Sequence, residues 1–196
     1  MHNRSNLSNY MASYLVADMS YEEEIRTWRK KREADLAEGI MIGDILWSPV
    51  PESERANLNL NFFPIDPAFK FHAKLTLLEE KRERVLTKTD GTPANPFLET
   101  GYVEFMYRNE NIRLFMVFDE QTDSYYVGFR DSTCGKESYP NGRLLRIERV
   151  DQELITLDFN KAFNFACAYN EKLPCPITPQ ENWLDFPIRA GEKKYH

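Results

Sequence analysis

Asp158, Asn160 and Asn164 stand within seven residues of one another, in a stretch reading DFNKAFN. A carboxylate beside two amides can orient a water, hold the hydroxyls of a ligand, or act as a general base where burial raises its pKa. Glu181, Asn182 and Trp183 come next, behind Pro174, Pro176 and Pro179. The fixed φ of these prolines makes the approach extended and stiff, able to lay a carboxylate and an indole across the mouth of a sheet. Asp158 and Glu181 are therefore the candidate catalytic bases, and Asn160, Asn164 and Asn182 the candidate ligand-binding amides. The loop from 131 to 143, with Arg130 just before it, adds Arg130, Tyr139 and Arg143, with Lys136 and two glycines, Gly135 and Gly142. Arginines on such a loop bind a carboxylate or phosphate, so Arg130, Tyr139 and Arg143 complete the set, and the implied ligand is a small anion.

Each of these residues also has a plainer use. Asp and Asn close turns by bonding nearby backbone. A buried Arg143 needs a carboxylate, with Asp158 or Glu181 as the candidates. The proline-rich run can serve as a strap whose Trp183 fills the core. Familiar catalytic signatures are absent: the chain has no G-x-x-x-x-G-K-S/T, no G-x-S-x-G and no H-E-x-x-H. The three cysteines are Cys134, Cys167 and Cys175. Seven residues separate the last two, more than a local metal pair uses, and His2, His72 and His196 lie in unrelated contexts. No metal and no cofactor is expected. A disulfide is geometrically possible but disfavoured in a reducing compartment, which leaves Cys167 and Cys175 as small buried thiols bracketing a loop.

The elements that must position these groups are mostly strands. Ser20 and Glu23 spell a capping box, Glu22, Glu23 and Glu24 favour a helix N-terminus, and Gly39 offers a stop, so one helix is predicted over 20–38. Ile25 and Trp28 would dock it. Its basic run from Arg29 to Arg32 is read as a solvated face. Four prolines make residues 44–69 irregular. Strand patterns follow at 71–78, 84–88, 102–107, 112–118, 125–130, 143–149 and 154–159, with EEKRE read as the turn between the first two. Short strands with turn-length connections imply a mainly β domain, an antiparallel meander or partly open barrel, with the N-terminal helix packed outside. On that reading Arg143, Asp158, Asn160, Asn164 and Glu181 meet on one concave, partly buried patch.

The 196 residues suit one domain over 20–196 after a flexible lead-in at 1–19. Twenty-five Lys and Arg against thirty-one Asp and Glu leave a charge of −6, which disfavours nucleic acid. No apolar run nears the ~20 residues of a membrane-spanning helix. The polar N-terminus carries no hydrophobic leader, so a cytoplasmic location is expected. Oligomeric state is not legible.

The segments FRDSTCGKESYPNGRLL and LDFNKAFNFACAYNEKLPCPITPQENWLDFPIRAGEK, with FFPIDPAFKFHAKL and TGYVEFMY upstream, resemble the uncharacterised bacterial and archaeal domain-of-unknown-function family numbered 1684. The resemblance runs from about residue 20 to the end. Two places depart from the family pattern: Tyr139-Pro140-Asn141-Gly142-Arg143 replaces Tyr-Gly-x-Gly-Arg, and Asn164-Phe165-Ala166-Cys167 replaces Asn-Pro-Pro-Cys. The family implies no activity. Two classes of function remain: a small-molecule-binding or hydrolytic domain whose polar pocket is built by the C-terminal DFN and ENW segments, and a noncatalytic interaction module in which the same residues are a structural lock.

Overall fold

The computed structural model describes residues 19–120, 122–148 and 150–196. The expected lead-in falls almost wholly on residues outside these. Helix α1 (Tyr21–Glu38) begins as its capping box dictates, with the Glu23 amide donating to the Ser20 hydroxyl and the Glu23 carboxylate accepting from the Ser20 amide. It stops at Gly39, whose φ of 90° suits a residue without Cβ. Ile25 is fully buried, while Trp28 sits half-buried with its ring edge on Phe62, 6.4 Å away, so the indole leans on the irregular segment.

A small hairpin that was not expected from the sequence follows the helix: β1 (Ile40–Ile42) and β2 (Ile45–Trp47) pair antiparallel around Gly43. Most of its apolar side chains face outward, Met41 at 62%, Leu46 at 61% and Ile45 at 68% exposure. A single short turn of helix, α2 (Glu52–Arg55), precedes the main sheet.

That sheet has seven antiparallel strands: β3 (Lys70–Arg84), β4 (Phe97–Tyr107), β5 (Glu110–Asp119), β6 (Ser124–Phe129), β7 (Arg143–Ile147), β8 (Leu154–Asp158) and β9 (Phe163–Asn164). Their spatial order is β8-β3-β4-β5-β6-β7-β9. The meander is therefore confined to β3 through β7, and β8 returns to the far edge beside β3. EEKRE does not turn the chain. It contains none of the Gly, Pro, Asn or Asp residues that reverse a strand, and β3 continues through it with a bulge between Leu77 and Arg82. Near this irregularity β4 places Gly101, where a Cβ would come within 2.3 Å of the Thr76 carbonyl oxygen.

Connectivity forces the sheet to curl. In a flat sheet the six inter-strand gaps from β8 to β9 would span ~29 Å at ~4.8 Å each. The chain from Asp158 to Phe163 is five steps long, reaching at most ~17 Å at ~3.4 Å per residue. The two edges must approach, and the result is a strongly curled half-barrel. Val103, Phe105, Leu114, Met116, Val127, Phe129 and Leu145 fill its interior. Phe159, in the link that closes the sheet, packs among Phe71, Phe105 and Phe129 at 5.8, 5.6 and 5.0 Å. Among the described residues no helix is long and apolar enough to cross a membrane.

Candidate functional site

Arg143 opens β7 and is wholly buried. The carboxylate facing it is Asp131, at 3.2 Å, with both side chains fully enclosed. The Asp158 and Glu181 pairings expected from the sequence are not made. Arg143 also donates to the carbonyls of Ile188 (2.7 Å), Glu192 (3.2 Å) and Ala190. Asp131 in turn accepts from the Ile188 amide at 2.6 Å and from the Thr133 hydroxyl. Burial pulls the Arg143 guanidinium below its usual range, and the Asp131 charge opposes that. Gly142 sets up this geometry: its φ is 95°, and a Cβ would lie 2.2 Å from the Phe129 carbonyl oxygen.

Asn164 extends the same network. Its amide N–H donates to Glu192 at 2.9 Å and its side chain to the Lys193 carbonyl at 2.8 Å. Glu192, buried, also accepts from Arg32 at 3.1 Å and from the Tyr169 hydroxyl. Arg32 is held above its ordinary value: burial works against the charge, and Tyr169 and Glu192 outweigh it. Asp131 and Glu192, the two carboxylates at the centre of this network, were not singled out in the sequence. Their only signal was that a buried arginine requires a carboxylate.

Asp158 and Asn160 form a second cluster. Asp158 caps the turn after β8 by accepting from the Asn160 amide at 3.0 Å, and the Tyr21 hydroxyl donates to both its oxygens at 3.0 and 3.1 Å. Asn160 accepts from the Asp66 amide at 2.9 Å and donates to the Asp66 carbonyl at 2.9 Å and to Tyr21 at 2.8 Å. Burial and then the Asp158 charge push the Tyr21 hydroxyl well above the usual phenol range. The cluster staples the start of α1 to the end of β8.

The remaining candidates stand apart. Glu181 is half-exposed and pairs with Arg84 at 2.5 Å, and Arg84 also meets Glu99. Its hydrogen bond from Arg84 holds the Glu181 carboxyl below the ordinary value. Asn182 fills a gap in the sheet. The β5–β6 ladder ends at Val117 and Tyr126, and the Asn182 side chain satisfies the Phe115 amide (2.8 Å), the Phe115 carbonyl (2.9 Å) and the Gly128 carbonyl (2.7 Å) beyond it. Arg130 lies over the Trp183 ring at 4.2 Å. Tyr139 packs beside Cys167 and Cys175. The five residues expected on one patch are thus divided among three places: Arg143 with Asn164, Asp158 with Asn160, and Glu181 with Arg84.

A larger concavity lies on the other side of the strands. Where Leu114, Met116, Val127 and Leu145 point inward, the alternate residues Phe115, Val117, Tyr126, Leu144 and Arg146 point outward. They floor a cleft of about 920 Å³. Trp28, Lys31, Arg32 and Asp35 from α1, Ile40, Ile42 and Trp47 from the hairpin, and Phe163, Phe165 and Tyr169 from the C-terminal segment supply its walls. Asp158, Asn164 and Asn182 reach its lining, whereas Arg143, Asn160 and Glu181 do not.

Most cations of the cleft are engaged. Lys31 pairs with Asp35 at 2.7 Å, Arg32 with Glu192, Arg84 with Glu99, and Lys161 with Glu24 at 2.8 Å. Lys70 lies over the Tyr21 ring at 4.4 Å. Arg146, opposite Tyr126 across the β6–β7 ladder, makes neither an ion pair nor a ring contact among the described residues. Among the described residues no three His, Cys, Asp or Glu side chains gather as metal ligands.

Fold and cleft together define a curled antiparallel β domain with its concavity outside the barrel, walled by one helix and a hairpin. The chain belongs to the family described as "Protein of unknown function (DUF1684)", whose pattern matches residues 57–193. It is similar to the solution NMR structure of an uncharacterized protein of Haloarcula marismortui, with 28% identity, a TM-score of 0.62, and coverage of 88% of this chain and 97% of that one. A comparison with curated proteins finds no match.

Proposed function

We propose that this is a small-molecule-binding domain whose ligand is an amphipathic anion, lying with its apolar body along the outer face of β5–β7 and its acidic head on Arg146. The observation that carries the reading is the exposed Arg146 guanidinium, which makes no ion pair or ring contact among the described residues and stands on a floor that includes Phe115 and Tyr126 in a cleft of ligand size. Small-molecule sites are concavities of roughly 300–1,000 Å³ with apolar walls and a few polar groups. The exposed apolar hairpin extends those walls toward solvent.

Binding is preferred to hydrolysis because the candidate bases already have work. Asp158 holds Tyr21 and Asn160, and Glu181 holds Arg84. The mutual hydrogen bonds of Arg143, Asp131, Glu192 and Asn164 with the C-terminal backbone favour a structural lock as the role of the C-terminal polar residues.

Calorimetry with dodecanoate and with dodecanol tests the proposal. Dodecanoate binds more tightly than the alcohol, and Arg146→Gln weakens only the acid. A hydrogen bond to a charged group contributes about 1.5–3 kcal/mol, so that loss is roughly ten- to a hundredfold in Kd. Equal binding of acid and alcohol, or an Arg146→Gln variant that binds the acid as the parent does, refutes it.

A further inference from the structure

The cleft leaves a second constellation unused. After Ala166, residues 167–175 fold back on themselves: the Asn170 side chain accepts from the Lys172 amide at 3.1 Å, and the Asn170 carbonyl accepts from the Leu173 amide at 3.0 Å. This turn returns Cys175 to Cys167, whose backbone N–H donates to the Cys175 sulfur at 3.2 Å. The Cys175 backbone is fixed from the other side, its carbonyl accepting from the Thr89 amide at 2.9 Å. Tyr139 packs against the pair, and a separate cavity of about 420 Å³ opens onto Cys167 between Thr89, Tyr139 and Pro174. Both thiols are free in the structure.

We propose that Cys167 and Cys175 are a reversible dithiol–disulfide pair that exchanges with low-molecular-weight disulfides, with Cys167 the attacking thiol and Cys175 the resolving one. In the first step the Cys167 thiolate attacks one sulfur of RSSR, forming a mixed disulfide and expelling RS⁻, which takes up the proton Cys167 released. In the second, the Cys175 sulfur attacks the Cys167 sulfur, the mixed bond breaks and a second RSH leaves with the Cys175 proton. The two protein thiols lose two electrons and the small disulfide gains them.

Geometry sets the order of attack. The cavity that admits the R group opens onto Cys167, while Cys175 turns toward the main cleft. Thiolate character agrees with it: hydrogen bonds from Cys175 and Tyr139 draw the Cys167 thiol down to about 7, and Cys175 is pushed up by its bond to Cys167 and by burial. Asp90, Glu171 and Lys172 give the cavity rim mixed charge, so an uncharged disulfide is the suitable probe.

The test equilibrates folded protein with hydroxyethyl disulfide, followed by alkylation and peptide mapping. Wild type loses two of its three alkylatable thiols and gains a Cys167–Cys175 bond, with Cys134 still free, and dithiothreitol reverses the change. Cys175→Ser accumulates one mixed disulfide at Cys167, and Cys167→Ser accumulates none at Cys175. Thermal melts of both variants confirm that the fold is present. Three alkylatable thiols remaining in wild type, or an adduct of Cys175→Ser found on Cys134, overturns the proposal. So does an adduct on Cys175 in Cys167→Ser.

Discussion

Replacing Asp131 by Asn separates the structural lock from every other polar cluster in the molecule. Asp131 is fully enclosed and accepts from Arg143 at 3.2 Å, the Ile188 amide at 2.6 Å and the Thr133 hydroxyl at 2.9 Å, with longer contacts from the Thr133 amide at 3.4 Å and the Cys134 thiol at 3.5 Å. An amide of the same shape removes the charge and turns an NH₂ toward the Arg143 guanidinium or the Ile188 amide, which can only donate. Stranding a buried guanidinium costs about 3–5 kcal/mol. At roughly 2–4 °C per kcal/mol for a chain of this length, the melting temperature drops by about 6–20 °C. Asp158→Asn is the matched control. Asp158 accepts from Tyr21 and from Asn160 but does not touch Arg143, and its replacement weakens a few hydrogen bonds for about 1–2 kcal/mol. Urea and thermal unfolding of both variants measure the difference. If Asp158→Asn destabilises as much as Asp131→Asn, or if Asp131→Asn melts with wild type, the assignment of Arg143's partner is wrong.

Asn182→Ala leaves the Phe115 amide and the Phe115 and Gly128 carbonyls without their partner, and an unsatisfied buried group costs about 1–3 kcal/mol. Unfolding midpoints fall by at least one such group, and amide exchange at Phe115 accelerates. A variant as stable as wild type would mean that water replaces the wedge. Acid has a defined sign. Glu104, Glu137 and Glu181 are each held below the ordinary glutamate value, chiefly by hydrogen bonds from Arg113, Arg189 and Arg84. Their contribution is complete above the unfolded value of about 4.3 and is lost as pH falls through their lower folded values. Stability measured from pH 7 downward stays level with respect to these groups until about 4.3 and then declines, less steeply in Arg189→Gln; a decline beginning near neutrality would require another group.

Much of the fold was legible because its signals are local. Ser20, Glu23 and Gly39 mark the limits of α1, and alternation within 102–107, 112–118 and 125–130 marks strands that bury one face. The errors came where a local sign was ambiguous. The charged run EEKRE resembles a turn in polarity but lacks turn-forming residues, so β3 runs on through it. The exposed hairpin 40–47 has no burial pattern to betray it. The site was harder still. Polar density near the C-terminus marked Arg143, Asp158, Asn160 and Asn164, which are buried and hydrogen-bonded, but the partner of Arg143 was missed: Asp131 lies two residues past Phe129, which pairs with Arg143 across the β6–β7 ladder, so finding it required the register of β7 on β6. The cleft floor carried no signal of its own, because Phe115, Tyr126 and Arg146 are ordinary outward residues of strands until α1 and the hairpin wall them in.

The most direct test of the ligand cleft is a titration of ¹⁵N-labelled protein with dodecanoate, followed through backbone amide shifts. Binding in the cleft moves amides at 115–117, 126–128 and 144–146 on the floor, together with those of the hairpin at 40–47, and the floor shifts shrink in Arg146→Gln. Shifts confined to 130–143, 158–164 and 181–182, or no shifts at all, would contradict it.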